Sequence, residues 1–174
     1  IFDKTGTLTV GQPEVVDVVT ATDVSAELVL TTASAVEQGS DHPLALAIIR
    51  RAQGLSIPMQ NGFENIEGMG ARAQISGETV FLGNRRLMDS QKFDLGALAT
   101  DAQRLQGAGR TVVHVARGGK VIGLIAIADA VRPTAAATVA KLRERGIEVA
   151  MLTGDNAGTA QRIGRDLGLD MVLA

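Results

Sequence analysis

The residues best suited to do chemistry stand at the front of the chain, in the run Asp3-Lys4-Thr5-Gly6-Thr7-Leu8-Thr9. An Asp directly after the apolar pair Ile1-Phe2 falls at the carboxyl end of a short strand, where α/β folds set their reactive groups. A carboxylate there can attack phosphorus and form an aspartyl-phosphate. Gly6 and the hydroxyls of Thr5 and Thr7 suit a loop whose backbone amides face phosphate oxygens, and Lys4 adds positive charge. A second phosphate-facing arrangement is Thr153-Gly154-Asp155-Asn156, which follows an apolar stretch and precedes a helical one. Between the two lie residues whose patterns are weaker taken alone. His42, in Ser40-Asp41-His42-Pro43-Leu44, reads as a helix cap or surface residue, and Glu37 as a solvent-facing helix carboxylate. Gly68-Met69-Gly70 is a turn-like pair that would let a backbone approach a ligand. Gly83-Asn84 follows a strand. Asp129, near Arg132 and Pro133, reads as a helix cap.

The elements that must position these groups alternate in type. Residues 14–20 are β-branched and predict a strand. Residues 25–38, rich in Ala and Leu, predict a helix. Ser40 to Pro43 marks a helix start, followed by an apolar face at Leu44, Ile48 and Ile49 and by Arg50 and Arg51 in the last turn. Two hairpins are expected, 71–76 with 79–83 around Ser76-Gly77, and 111–117 with 120–128 around Gly118-Gly119. A helix over roughly 95–107 separates them. After Asp129 the texture changes: a helix from Pro133 to about Arg145, a strand over Ile147 to Leu152, a loop at 153–156, and a helix over 157–167. That β-α-β-α order predicts a parallel sheet with crossover helices. The ends therefore read as one α/β unit, with an α+β module inserted between them.

Composition narrows the classes. The chain has 174 residues, 45% of them hydrophobic and 21% charged, a length and balance that support a packed core of one large domain or two small ones. Its net charge of −2 supplies no electrostatic footprint for nucleic acid or an anionic membrane. There is no Cys, which removes disulfides and thiolate metal sites. The longest apolar run, Val121 to Ala128, is far below the roughly 20 residues of a membrane helix. Only four residues are aromatic, all Phe, against 20 Gly.

The run DKTGTLT at 3–9 resembles the phosphorylation motif of P-type ATPases, within the haloacid-dehalogenase-like superfamily, and the resemblance extends over essentially the whole chain. It implies a Rossmann-type phosphorylation domain, incomplete here, at 1–11 and 127–174, interrupted at 12–126 by a nucleotide-binding domain of antiparallel sheet plus helices. It implies that Asp3 takes the γ-phosphoryl group of ATP, assisted by Lys4, with Mg²⁺ held by the Asp3 carboxylate and the Thr5 carbonyl. Thr153 would contact phosphoryl oxygens, Gly154 would shape that loop, and Asp155 would help hold the loop or the nucleotide. Asp129, Arg132 and Pro133 resemble the family's hinge segment. Many phosphatases of the superfamily carry a general-acid Asp two residues after the nucleophile. Thr5 stands there instead, so water would be poorly activated and the phosphoenzyme would persist, as a pump requires.

Ser40 to Leu44 resembles the nucleotide-binding domain of heavy-metal-transporting, P1B-class members. In that resemblance His42 orients adenine, Glu37 contacts it, Gly68 and Gly70 let the backbone approach, and Gly83-Asn84 lies near the phosphates. Asp41 replaces the family's usual Glu. No aromatic residue is available to stack on the base. SDHPLA and GNRRLM look most like copper(I)-exporting members, with zinc/cadmium exporters the close alternative. The start at Ile1 and the lack of a downstream GDGxNDxP loop lead to the expectation of a soluble piece of an integral membrane protein, lying on the cytoplasmic side, with the transported metal bound by membrane helices outside it. That piece is expected to bind ATP but form little phosphoenzyme. The competing classes are a soluble phosphohydrolase, which would want Asp at position 5, and a non-catalytic nucleotide-binding module, which would have no need of Asp3.

Overall fold

The computed structural model describes residues 1–154 and 157–174. Two sheets organise it. The larger is six-stranded and antiparallel, in the order β2-β7-β6-β5-β4-β3, built from β2 (Thr9–Thr20), β3 (Gln60–Ile66), β4 (Gly70–Ile75), β5 (Glu78–Gly83), β6 (Thr111–Arg117) and β7 (Lys120–Val131). The smaller is parallel, in the order β1-β8-β9, with β1 (Phe2–Asp3), β8 (Ala150–Leu152) and β9 (Met171–Leu173). Both hairpins form as expected. Ser76-Gly77 and Gly118-Gly119 all have positive φ, the geometry whose twist matches the flanking strands.

Helices cover both faces of the large sheet. On one face, α1 (Ala26–Glu37) and α2 (Pro43–Arg51) bury Val29, Val36 and Ile48 against Val80, Leu82, Val113, Ile125 and Ile127. On the other, α3 (Arg85–Ser90) and α4 (Leu98–Gly107) bury Leu87, Met88 and Leu105 against Phe81, Val112, Leu124 and Ala126. Successive residues of β5, β6 and β7 thus enter different cores, because strand side chains alternate in direction. This explains why the run from Val121 to Ala128 is almost wholly apolar: a strand buried on both faces has no solvent side. Against the small sheet pack α5 (Ala135–Glu144) and α6 (Ala157–Leu167), where Leu8, Ala135, Met151, Ala160 and Leu167 close a third core. Among the described residues no helix is long and apolar enough to cross a membrane.

Four helices end alike. In α5 the Gly146 N–H bonds Arg143 O and the Ile147 N–H bonds Leu142 O, with Gly146 at φ +73°. This is the Schellman pattern, and α3, α4 and α6 repeat it with Lys92, Gly109 and Gly168 in the left-handed position. It corrects the strand expected from Ile147: that residue is spent on the cap, and β8 begins only at Ala150. Likewise α5 starts at Ala135 rather than Pro133. Two short elements, β3 and α3, were absent from the sequence reading. β3 is polar and Gly-containing (QNGFENI), and α3 has only six residues.

The two sheets are joined by β2 and β7, whose register runs from Thr9↔Val131 to Thr20↔Gly123 with an irregularity between Thr9 and Pro13. Both strands continue through residues 11–12 and 126–127, where the sequence suggested domain borders, β2 with its irregularity at Gly11 and Gln12.

Candidate functional site

At one end of the site, β1 pairs with β8 in parallel, Phe2 opposite Met151 and Asp3 opposite Leu152. Their carboxyl ends therefore coincide, and Asp3 lies beside the turn that begins with Thr153 and Gly154. The Thr153 N–H donates to Leu173 O at 2.9 Å, tying that turn to β9. Asp155 lies outside the described residues. Asp3 is exposed and forms no ion pair to a described residue. Lys4 by contrast is buried.

After Asp3 the chain folds into a tight loop, Lys4–Leu8, whose Gly6 has φ +76°. Its anchor is Thr9, fully buried. The Thr9 hydroxyl donates to the Asp129 carboxylate at 2.5 Å and accepts from the Gly6 N–H at 3.3 Å. The other Asp129 oxygen accepts from the N–H groups of Gly11 and Gln12 at 3.0 and 3.2 Å. Those two amides sit where the β2–β7 ladder is irregular, so the carboxylate takes over hydrogen bonds the ladder does not make. The Arg132 guanidinium adds a bond to Gly6 O at 2.9 Å, and its backbone N–H another to Leu8 O at 2.9 Å. Asp129 is therefore no helix cap: it lies in β7, and α5 is preceded by Thr134, which makes no side-chain capping bond. The role of Thr9 as the buried anchor escaped sequence reading, although the residue stands in the motif.

A cavity of about 460 Å³ lies on the α1–α2 side of the large sheet, and Glu37, His42, Gly68, Gly70, Gly83 and Asn84 all line it. Glu37 ends α1. Burial pushes its carboxyl above the ordinary carboxylate value, and a hydrogen bond with Ser40 pulls it partly back. His42 is the N-cap of α2, as its place at a helix start allowed: its Nδ1 accepts the Leu44 N–H at 3.2 Å. In the neutral ring the proton must then sit on Nε2, leaving a donor for a ligand. No aromatic residue lines the cavity.

The glycines divide by role. Gly68, at φ +65°, has open space where a Cβ would stand. Gly70 and Gly83 are register partners; a Cβ on Gly70 would fall 2.1 Å from the Leu82 carbonyl oxygen of β5, and one on Gly83 2.1 Å from the carbonyl oxygen of Met69, just before β4. Their lack of a side chain lets β4 close onto β5, and both line the cavity. Asn84 is also occupied: Oδ1 accepts the Leu87 N–H at 3.1 Å to cap α3, and Nδ2 donates to Gly68 O at 2.9 Å. Gly83 and Asn84 lie in this cavity with Glu37, and not in the one beside the Asp3 loop.

That second cavity, of about 420 Å³, is lined by Lys4, Thr5, Gly11, Asp129 and Thr159 among others. The two cavities share His42, Leu44 and Thr111. Among the described residues no group of three or more His, Asp or Glu side chains could hold a metal alone. The exposed Asp3 carboxylate and the backbone carbonyl of Thr5, two residues on, are nevertheless hard oxygen donors of the type that suits Mg²⁺, which keeps several waters and takes other ligands from a substrate phosphate.

Comparison with known proteins converges on one family. The model of the haloacid dehalogenase-like hydrolases matches residues 1–173. A probable copper-exporting P-type ATPase of Mycobacterium tuberculosis is 44% identical over 177 residues, taking in 100% of this chain and 23% of that protein. A zinc/cadmium/lead-transporting P-type ATPase of Shigella sonnei is 43% identical over 97% of this chain and 23% of its own. The chain thus spans about a quarter of the length of the curated relatives it matches. Among solved structures, a zinc-transporting PIB-type ATPase in its E2.Pi state superposes with TM-score 0.80 at 42% identity, covering 98% of this chain and 28% of that one. The N-domain of a copper-transporting P-type ATPase superposes with TM-score 0.56 at 33% identity, covering 66% of this chain and 99% of that domain. A parallel sheet carrying the aspartate loop, an antiparallel sheet carrying the larger cavity, and these matches agree: the chain belongs to the haloacid dehalogenase-like hydrolase family, in the part of it formed by the catalytic domains of P1B-type ATPases.

Proposed function

We propose that this chain binds ATP and accepts its terminal phosphoryl group on Asp3, driving transport of a heavy-metal cation, Cu(I), across a membrane. The observation that carries this reading is the junction of the two cavities at His42, Leu44 and Thr111. A nucleotide whose base occupies the Glu37–His42 cavity can extend its phosphates past that junction toward the Asp3 loop. In this reading residues 12–126 serve as the nucleotide-binding domain, and 1–11 with 127–174 as the phosphorylation domain.

The transfer is an in-line displacement. An Asp3 carboxylate oxygen forms the new bond to the γ-phosphorus, the bond from that phosphorus to the β–γ bridging oxygen breaks, and ADP leaves with the electron pair. Mg²⁺, held by the Asp3 carboxylate and the Thr5 carbonyl, would neutralise charge on the phosphoryl oxygens. Lys4 adds positive charge at the loop, Thr153 and Gly154 belong to the neighbouring turn that would face those oxygens, and Asp155, which follows them in sequence, would help hold the loop or the nucleotide. Thr5 offers no carboxylate to deprotonate water, which favours a lasting aspartyl-phosphate over hydrolysis. The open Cβ space at Gly68 and the Nε2 donor of His42 serve the base.

Copper as cargo rests on the copper-exporting relative at 44% identity; a zinc or cadmium cargo rests on the relative at 43% and is the second reading. Titration calorimetry with ATP tests the base site: His42→Ala should weaken binding by about tenfold, as loss of one good hydrogen bond does, and unchanged affinity would remove His42 from it. Label from γ-phosphate-labelled ATP should appear on the full-length protein and be absent from its Asp3→Asn variant; label retained there would dismiss Asp3 as the acceptor.

A further inference from the structure

Thr111 belongs to the wall that both cavities share, yet it has no place in the reading so far. Of the three shared residues Leu44 is apolar and His42 already serves the base, so Thr111 brings the remaining polar group. Its position is set from two sides. The C-terminal turn of α4, with Gly109 at φ +72° and the Arg110 N–H bonded to Leu105 O, delivers the chain into β6. There Thr111 pairs with Ile127 of β7. Strand alternation puts Thr111 on the same face as Val113 and Val115, which are buried beneath α1 and α2. Thr111 is the first residue of that row, exposed just beyond the end of the apolar core. Its hydroxyl is bonded to no described residue, so it can donate to a ligand without breaking anything.

This inference rests on the ATP-binding reading above. If the base lies in one cavity and the terminal phosphate in the other, the part of the nucleotide that crosses the shared wall is the ribose with the α-phosphate. We propose that the Thr111 hydroxyl donates a hydrogen bond to the α-phosphate of bound ATP, setting the direction in which the triphosphate runs toward Asp3. A hydroxyl suits this place: it is a donor that bonds an anionic oxygen strongly, and it adds no fixed positive charge that would hold ADP after transfer.

The test is calorimetry on the full chain with ATP, AMP and adenosine, comparing Thr111→Val, which keeps the branched shape that a strand favours, with Thr111→Ser, which keeps the hydroxyl. The valine variant should lose about tenfold in affinity for ATP and for AMP, bind adenosine as the parent does, and melt at the same temperature. The serine variant should bind all three as the parent does. Wild-type affinity for ATP in the valine variant would overturn the proposal. So would an equal loss for adenosine, which would place the hydroxyl on the nucleoside, or a lowered melting temperature with all ligands weakened together, which would make Thr111 a structural residue of β6. Failure of the underlying reading looks different: the unmodified chain would bind no ATP, or His42→Ala and Glu37→Ala would bind it unchanged.

Discussion

His114 shows how much a single buried residue can bind stability to pH. It is fully buried on β6, its Nδ1 within 3.2 Å of the Gly83 carbonyl and its Nε2 without a partner among the described residues. Burial is the main cause that holds its pKa below the ordinary value; Arg85 on α3 pushes the same way, while the Gly83 carbonyl and Asp89 push back. The unfolded chain, with its ring near 6.5, then takes up a proton more readily than the folded one. Stability from this residue is complete above that value and drains away as pH falls through the lower folded pKa. Glu37 acts with the opposite sign: its carboxyl is raised in the fold, so between 4.5 and the raised value stability falls as pH rises. The difference in melting temperature between the parent and His114→Leu isolates the histidine. That difference should shift in favour of the leucine variant as pH drops from 7.5 toward 5; a difference flat across that range would dismiss the account. Because the Gly83 carbonyl is its partner, protonation strikes beside the base cavity.

At the scale of elements, the helix caps and the close strand pair carry sharp expectations. Lys92 occupies the left-handed position after α3 at φ +57°, where the three other caps use Gly. Lys92→Gly relieves a strain of about 1–2 kcal/mol and gives back roughly half of it in chain entropy. A net gain of about 0.5–1 kcal/mol should appear in denaturant titration, and a loss would sink the argument. Gly70→Ala should cost about 3 kcal/mol or more, since its Cβ meets backbone that cannot swing away. Gly68→Ala meets nothing and should cost less, through its positive φ alone. A smaller cost at Gly70 than at Gly68 would reverse the division of roles among these glycines. The elements also show what sequence could and could not reveal. The turns Ser76-Gly77 and Gly118-Gly119, the Pro at the start of α2 and the apolar run of β7 are local signals, and each element came out in its place. β3 failed to announce itself because it is an edge strand whose polar sequence takes its order from β4. Ile147 misled because an apolar residue after a glycine serves a Schellman cap as well as a strand. At the site, the aspartate loop was legible from seven consecutive residues. Its hold on Asp129 was not, because that bond closes across 120 positions and only the fold brings the partners together.

At the scale of the whole molecule the chain passes between the small parallel sheet and the large antiparallel one through β2 and β7, which pair with each other. Asp129 and Arg132 clasp the Asp3 loop from the far arm of that pair. Asp129→Ala should cost about 1–2 kcal/mol, because it strips the buried Thr9 hydroxyl of its charged acceptor while Gly11 and Gln12 can turn to water. Denaturant titration measures this cost, and a neutral result would mean that Lys4 O, 3.1 Å from the same hydroxyl, is an adequate substitute.

That arrangement also dictates an order of assembly. The loop that carries Asp3 is synthesised well before the groups that hold it, which stand at positions 129 and 132, at the end of the antiparallel sheet. Contacts so distant along the chain form late, because closing a long loop costs entropy that only the structure within it can repay. A nascent chain would therefore carry its reactive aspartate unshaped until the larger sheet has formed. Hydrogen exchange during refolding would register this as protection of the Gly6 amide lagging behind that of β4 and β5.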